Sequence, residues 1–238
     1  MESRNYFTYG SVLSSDYDVY VLDAKLNNST KREYDTVSIA GRNGDLHIDK
    51  KRYSNMSVQY SCAVVSSAGS RINEFMAALL AEDLNSKLSD SIYPEYFRKA
   101  TFSGDVSPHI SGDRNIATFV VEFDCAPQRW LVHGETPIAV SSDAVTLLNP
   151  TLYVAKPLIK VTGTGTLKVG NQTVTINRNQ GNMIIDCELE DVYDSVNLSN
   201  LNGDVTLSSG EFPTLAVGET GVSVSGVSVE ITPRWWTL

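Results

Sequence analysis

The chain has 238 residues, with 28 acidic against 19 basic side chains and a net charge of −9 at neutral pH. With 42% hydrophobic and 20% charged residues it has the composition of a folded chain, and its length suits one large domain or two small ones. The acidic balance and the absence of any Lys/Arg stripe exclude a protein that grips nucleic acid through its phosphates.

The N-terminus, Met1 to Tyr6, lacks the apolar core of a signal peptide, and the apolar stretch at residues 76–81 is far short of the ~20 residues a membrane span needs. Cys62, Cys125 and Cys187 are widely spaced and odd in number, which predicts reduced thiols in a cytosolic chain. Asn-x-Ser/Thr triplets at Asn28, Asn55, Asn171 and Asn197 then read as products of a Ser/Thr/Asn-rich composition.

Period-two alternation dominates the first half. Short strands are predicted at residues 18–22, 37–39 and 46–48, the last two flanking Asn43-Gly44, a dipeptide that tolerates positive φ and closes tight hairpins. Residues 56–64 place Met56, Val58, Tyr60, Cys62 and Val64 on one face and Ser57, Gln59 and Ser61 on the other, a strand covering a core. Over residues 70–88 the rhythm changes: Ile72, Phe75, Met76, Leu79, Leu80, Leu84 and Leu88 recur at three- and four-residue steps, predicting one amphipathic helix with Ser70 as its cap. Phe119, Val121, Phe123 and Cys125 return to alternation, and Pro127 should end that strand.

The polar, punctuated stretch at 131–150 predicts a junction, dividing the chain into residues 1–133 and residues 134–238. Beyond it the helix signal vanishes. Strand candidates at 158–161, 167–169, 174–176, 183–189, 222–224 and 227–231 are separated by Gly163-Thr164-Gly165, Gly170-Asn171, Asn179-Gln180-Gly181, Asn202-Gly203 and Gly226. Short strands with regular turn chemistry indicate a β-sandwich. The apolar phase slips between Val224 and Val227, so Gly226 should be a turn or a bulge, while Gly163-Thr164-Gly165 reads as a turn. The fold class is therefore mainly β, a sandwich-like N-terminal domain with one helix followed by an all-β sandwich.

Catalytic signatures are weak. His47, His109 and His133 have no second ligand at metal spacing, and neither a phosphate loop nor a nucleophile elbow is complete. Asp186, Glu188 and Glu190 would share one face of a strand opposite Ile185, Cys187 and Leu189, about 6.8 Å apart per two-residue step, the kind of separation a pair of glycosidase acids uses. A water-facing strand of an acidic protein looks the same, and no enzyme, metal or cofactor is predicted. Gln128-Arg129-Trp130 and Pro233-Arg234-Trp235-Trp236 are more telling, since adjacent tryptophans on a strand point to opposite faces and Trp and Arg are enriched at buried interfaces. Trp235 and Trp236 are thus candidate interface or sugar-stacking aromatics, with Tyr193 a further candidate platform, and a glycan-binding module is the alternative reading of the second half.

The ordered set Tyr9-Gly10-Ser11, Ala40-Gly41-Arg42-Asn43-Gly44-Asp45-Leu46, Phe123-Asp124-Cys125-Ala126-Pro127-Gln128-Arg129-Trp130, Asn149-Pro150-Thr151, Ala155-Lys156-Pro157, Ile185-Asp186-Cys187-Glu188, Val192-Tyr193, Glu211-Phe212-Pro213-Thr214-Leu215 and Arg234-Trp235 resembles the distal tail protein (Dit) family of long-tailed, non-contractile phages over nearly the whole chain. The resemblance implies an N-terminal domain that builds a hexameric ring at the tip of the tail tube and a C-terminal sandwich similar to a galectin or carbohydrate-binding module. It implies as partners the tail-tube protein, the tail-associated fibre or lysin protein, the tape measure protein and receptor-binding proteins, with DNA only in transit. It places the protein in the virion tail tip, assembled in the bacterial cytoplasm without membrane insertion. Arg42, Asn43 and Gly44 match a family motif and are candidate ring or partner contacts. Gly218-Glu219-Thr220 departs from the family, where Asn often follows that glycine.

Overall fold

The computed structural model describes residues 4–26, 29–141, 144–178 and 181–238. Asn28 of the first triplet, the Ser142-Asp143 part of the predicted junction and Asn179-Gln180 of the predicted turn lie outside the described residues, as do Met1 to Ser3. The fold is mainly β, with antiparallel sheets and one α-helix among the described residues. The chain divides into two compact units, Met1–Arg129 with Leu238, and Trp130–Thr237. The division falls slightly before the expected 133/134 junction because the intervening residues pack in the second unit. There the Leu131 N–H donates to the Trp235 carbonyl (2.9 Å) and the Arg234 N–H to the Gly134 carbonyl (2.8 Å).

In the first unit, strands β1 (Phe7–Tyr9), β2 (Val12–Leu13), β3 (Val19–Lys25), β4 (Arg32–Val37), β5 (Leu46–Tyr53) and β6 (Met56–Val64) precede helix α1 (Ala68–Ala81). Strands β7 (Ser86–Asp90), β8 (Tyr96–Phe102), β9 (His109–Ile110) and β10 (Ala117–Cys125) follow it. One sheet runs β2-β1-β7-β8-β10-β6-β3, with β9 on β10, while β4 and β5 form a separate two-stranded sheet. β6 and β10 pair along their full lengths, Ala117 opposite Val64 through Cys125 opposite Met56. The alternation, complete in β10 and running to Cys62 in β6, is what one buried and one wetter face require. The buried row meets Ile72, Phe75 and Leu79 of α1 in an aromatic core of Phe7, Tyr9, Tyr60, Phe119 and Phe123.

The helix is shorter than its periodicity predicts. It ends at Ala81, and Leu88 belongs to β7, buried between β1 and β8. The segment after Ala81 is held away from helical geometry: Glu82 is extended, its carboxylate accepts the backbone N–H and hydroxyl of Ser11, and the Asp83 carbonyl accepts the Tyr9 hydroxyl at 3.1 Å. Asn85 then turns the chain in the left-handed region (φ 58°). The cap also differs, since Ser67 occupies that position and the Ser70 hydroxyl donates to the Ser67 carbonyl (3.2 Å).

The second unit begins with β11 (Arg129–Leu131), whose first residue closes the first unit. It continues with β12 (Ile138–Val140), β13 (Val145–Asn149), β14 (Leu158–Val169), β15 (Gln172–Ile176), β16 (Met183–Asp186), β17 (Asp191–Asp194), β18 (Val205–Leu207), β19 (Gly218–Thr232) and β20 (Trp236–Thr237). Its frame is the pair β14·β19, two long strands that each serve both layers. Their Leu158–Val161 and Val229–Ile231 ends carry β16 and β12, while the opposite ends carry β15 and β13. The expected turn at Gly163-Thr164-Gly165 is therefore a mid-strand irregularity, where the register shifts between Gly163 and Thr166 opposite Gly226. Strands that pass from one layer to another bend at such bulges.

Close backbone approach is why glycine stands there. A Cβ on Gly165 (φ 146°) would lie 2.1 Å from the Ser225 carbonyl oxygen, and one on Gly226 (φ 76°) 2.7 Å from that of Thr164. Gly226→Ala should lower the stability of this unit by about 1–3 kcal/mol, read as a fall in its melting temperature. An unchanged melting curve would mean the crossing backbones can part without loss.

Candidate interaction surfaces

The hairpin of β4 and β5 contributes no residue to the core of the first unit. Its strands pair from Val37 opposite Leu46 down to Arg32 opposite Tyr53, with an irregularity next to Lys51, which has positive φ (56°). At the tip, the Arg42 N–H donates to the Ile39 carbonyl (3.1 Å), and Gly41 and Gly44 take positive φ. Arg42, Asn43 and Gly44 are all exposed. This two-stranded ribbon exposes both faces, and a lone hairpin of this kind is marginal in water.

The two faces differ in chemistry. One carries Tyr34, Thr36 and His47, with the Tyr34 and His47 rings 4.6 Å apart edge to face, and the Arg32 guanidinium forked onto Asp49 (3.0 and 2.5 Å). That hydrogen-bonded fork, with the Lys51 N–H, holds the Asp49 carboxyl below its usual range. The other carries Val37, Leu46 and Ile48 towards the tip, Ile48 being 51% exposed, and the Lys50–Asp35 pair (2.6 Å) nearer the base. An apolar row edged by ion pairs is the chemistry of a surface that seats a partner.

In the second unit the sequence-predicted residues take different places. Asp186, Glu188 and Glu190 do not share a strand face. β16 ends at Asp186, a turn follows, and Leu189 is 68% exposed while Ile185 and Cys187 are buried. Asp186 is itself only 3% exposed and takes a bidentate hydrogen-bonded pair from Arg234, at 2.8 and 3.1 Å. It also accepts the backbone N–H groups of Glu188 and Leu189. Burial alone would raise its pKa, but Arg234 and the two N–H groups outweigh burial and hold it below the usual carboxylate value. This carboxylate is a structural tie with no free oxygen, so the alternation that suggested a pair of acids is overturned.

The adjacent tryptophans also divide. Trp235 is 3% exposed within the core, while Trp236 is half-buried, stacked on Tyr153 (4.4 Å between centroids), with its indole N–H donating to the Val154 carbonyl. Trp235 thus has no face for a sugar or a partner. The three cysteines are free and buried, their thiols pushed up to about 12 by burial, which makes them inert. Among the described residues no group of His, Cys, Asp and Glu could hold a metal, and no helix is long and apolar enough to cross a membrane. Sequence reasoning missed Arg98, an arginine on the core-facing row of β8, because nothing local distinguishes it from a surface cation.

No protein-family model and no curated protein sequence matches the chain. Among solved structures it is similar to the crystal structure of the Dit (gp 19.1) protein of phage SPP1, described as a paradigm of the hub adsorption apparatus in phages infecting Gram-positive hosts. The two align with a TM-score of 0.72 at 15% identity, over 96% of this chain and 98% of that one. The chain therefore has the fold of a Dit protein across nearly its whole length.

Proposed function

We propose that the chain is a structural, non-enzymatic hub of a phage tail tip, assembling as a hexameric ring between the tail tube and the fibre or receptor-binding proteins. The observation that carries this reading is the fold shared with a hub adsorption protein, together with a hairpin whose two faces lack a partner. A closed ring needs head-to-tail contacts, and a projecting ribbon with an apolar row supplies one half of such a contact. Arg42, Asn43 and Gly44 at its tip belong to that contact. The reading extends to the tape measure protein as a neighbour and to DNA passing through the ring during ejection. The exposed row of β10 carries Glu122 and Asp124 and no cation, and a wall of that kind repels the phosphate backbone.

Light scattering and negative-stain imaging of the full chain test the reading. Wild type should form rings with increasing concentration. Ile48→Asp should require at least about tenfold more protein to assemble, equivalent to about 1.4 kcal/mol, with an unchanged melting temperature. A wild type that stays monomeric at every concentration, alone and with its tail-tube protein, would overturn the ring. Equal assembly of the variant would move the contact off the hairpin.

A further inference from the structure

The tripeptide Asn-Gly-Asp occurs at residues 43–45 and again at 202–204, so one local chemistry stands in two settings. Asn43 and Asn202 are both exposed, and access to solvent does not separate them. Hydrogen bonding does. Asn202 belongs to a 3₁₀ turn, Asn202–Asp204, and its polar groups are held. Its side-chain carbonyl accepts the Val192 N–H (2.8 Å), its side-chain amide donates to the Asp191 carboxylate (2.7 Å), and its backbone N–H donates to the Asn200 side-chain oxygen (3.0 Å). The Asp204 N–H closes the turn on the Leu201 carbonyl at 2.9 Å.

Asn43 has none of these restraints. It lies in the loop beyond the last ladder pair of the hairpin, Val37 opposite Leu46, and the turn bond from the Arg42 N–H to the Ile39 carbonyl stops short of it. Among the described residues neither the Asn43 side chain nor the Gly44 N–H has a hydrogen-bond partner. Gly44 has positive φ (82°), and even an added Cβ there would meet nothing within 4 Å, so the Asn43–Gly44 peptide is unencumbered.

We propose that Asn43 is a self-modification site, which the folded chain converts to aspartate and isoaspartate while Asn202 is preserved. The nucleophile is the backbone nitrogen of Gly44, which gives up its proton and attacks Cγ of Asn43. The new N–Cγ bond closes a succinimide ring as the Cγ–Nδ2 bond breaks, and the side-chain nitrogen leaves with a proton as ammonia. Water then adds to either ring carbonyl and opens the ring to aspartate or isoaspartate. At Asn202 the same attack requires the bonds to Asp191 and Val192 to open first. Either product places a new carboxylate beside Arg42, and isoaspartate also lengthens the backbone of the tip by one carbon. If the tip is part of the contact between copies, a chain that waits unassembled loses that contact. This consequence rests on the ring reading; the chemistry at Asn43 does not.

The test uses the full chain, held folded at physiological temperature and mildly alkaline pH and sampled over weeks. Digestion with pepsin in acid, where the amide nitrogen keeps its proton, stops the reaction, and mass spectrometry reads the replacement of the side-chain NH₂ by OH at each asparagine. Conversion at Asn43 should be at least about tenfold faster than at Asn202 and should rise with pH. In denaturant the two rates should coincide, because the tripeptides are the same. An intact Asn43, or equal rates in the folded chain, overturns the site. A gap that persists in denaturant assigns the contrast to neighbouring sequence and overturns the structural cause. Anion exchange then divides one aged sample into modified and unmodified fractions of equal age, and the modified fraction should need several-fold more protein to form rings. Equal assembly of the two fractions overturns the consequence for the contact while leaving the ring reading standing. A chain that never assembles overturns the ring and that consequence together, and the mass spectra then decide Asn43 by themselves.

Discussion

Asp186→Ala is expected to destabilise the second unit by about 3–5 kcal/mol, which for a unit of this size removes a large part of its stability. The reason is what the substitution leaves behind. Arg234 has positive φ (56°), its N–H is fixed to the Gly134 carbonyl, and its guanidinium points into Asp186. Without the carboxylate a largely buried cation remains unpaired, and the Glu188 and Leu189 N–H groups lose their acceptor. Replacing both partners by apolar residues of similar volume should recover much of the loss, since it is the orphaned charge that is costly. The effect should also depend on pH. The folded-state pKa of Asp186 is depressed, so its contribution is complete above the unfolded carboxylate value of about 4 and is lost as pH falls through the lower folded value. Melting curves of wild type and Asp186→Ala should therefore converge in strong acid. A constant gap down to the lowest accessible pH would show that the ion pair is not the source of the difference.

The elements legible in the sequence are those whose pattern is set by one buried face. β6 and β10 follow directly from alternation, because a single sheet face meets the core and a register slip would turn every apolar side chain outward. The elements misread are those whose fate is set by distant partners. Leu84 and Leu88 continue the helical spacing, yet pairing of β7 with β1 and β8 claims Leu88, and contacts from Tyr9 and Ser11 stop the helix. Gly163, Gly165 and Gly226 announce positive φ, but a sequence does not distinguish a chain that reverses from a strand that bends and continues. Asp186 looks like a wet position between two apolar ones, and its burial depends on an arginine 48 residues away. The same long-range dependence hid Arg98, whose neighbours Met56 and Leu26 come from other strands and loops. The hairpin tip was legible from Asn43-Gly44, whereas the absence of the hairpin's residues from the core became visible only once the other strands had found their sheet.

Phe123→Ala is expected to cost the first unit about 3–5 kcal/mol, the upper range for truncating a core aromatic. Phe123 is fully buried at the centre of the aromatic cluster, with ring centroids 5.5 Å from Phe7, 5.0 Å from Tyr9, 5.7 Å from Phe102 and 6.1 Å from Tyr60. Those neighbours come from β1, β8 and β6, so they are held by several independent ladders and cannot close together over the void. Two of them also carry hydrogen bonds that fix their position, Tyr60 to Asp90 and Tyr9 to the Asp83 carbonyl. The cavity should therefore persist, and both the lost transfer energy and the cavity term should appear in full. Phe123→Leu, which keeps most of the volume, should cost less than half as much. Denaturant titration of the two variants gives the ratio; equal costs would mean that the ring's geometry, not its volume, holds the cluster. Because β10 also carries the outward row of Glu122 and Asp124, Phe123→Ala should disturb assembly only through loss of folded protein, whereas Ile48→Asp should impair assembly without loss of fold. The contrast between those two variants separates the core that builds the unit from the surface through which copies meet.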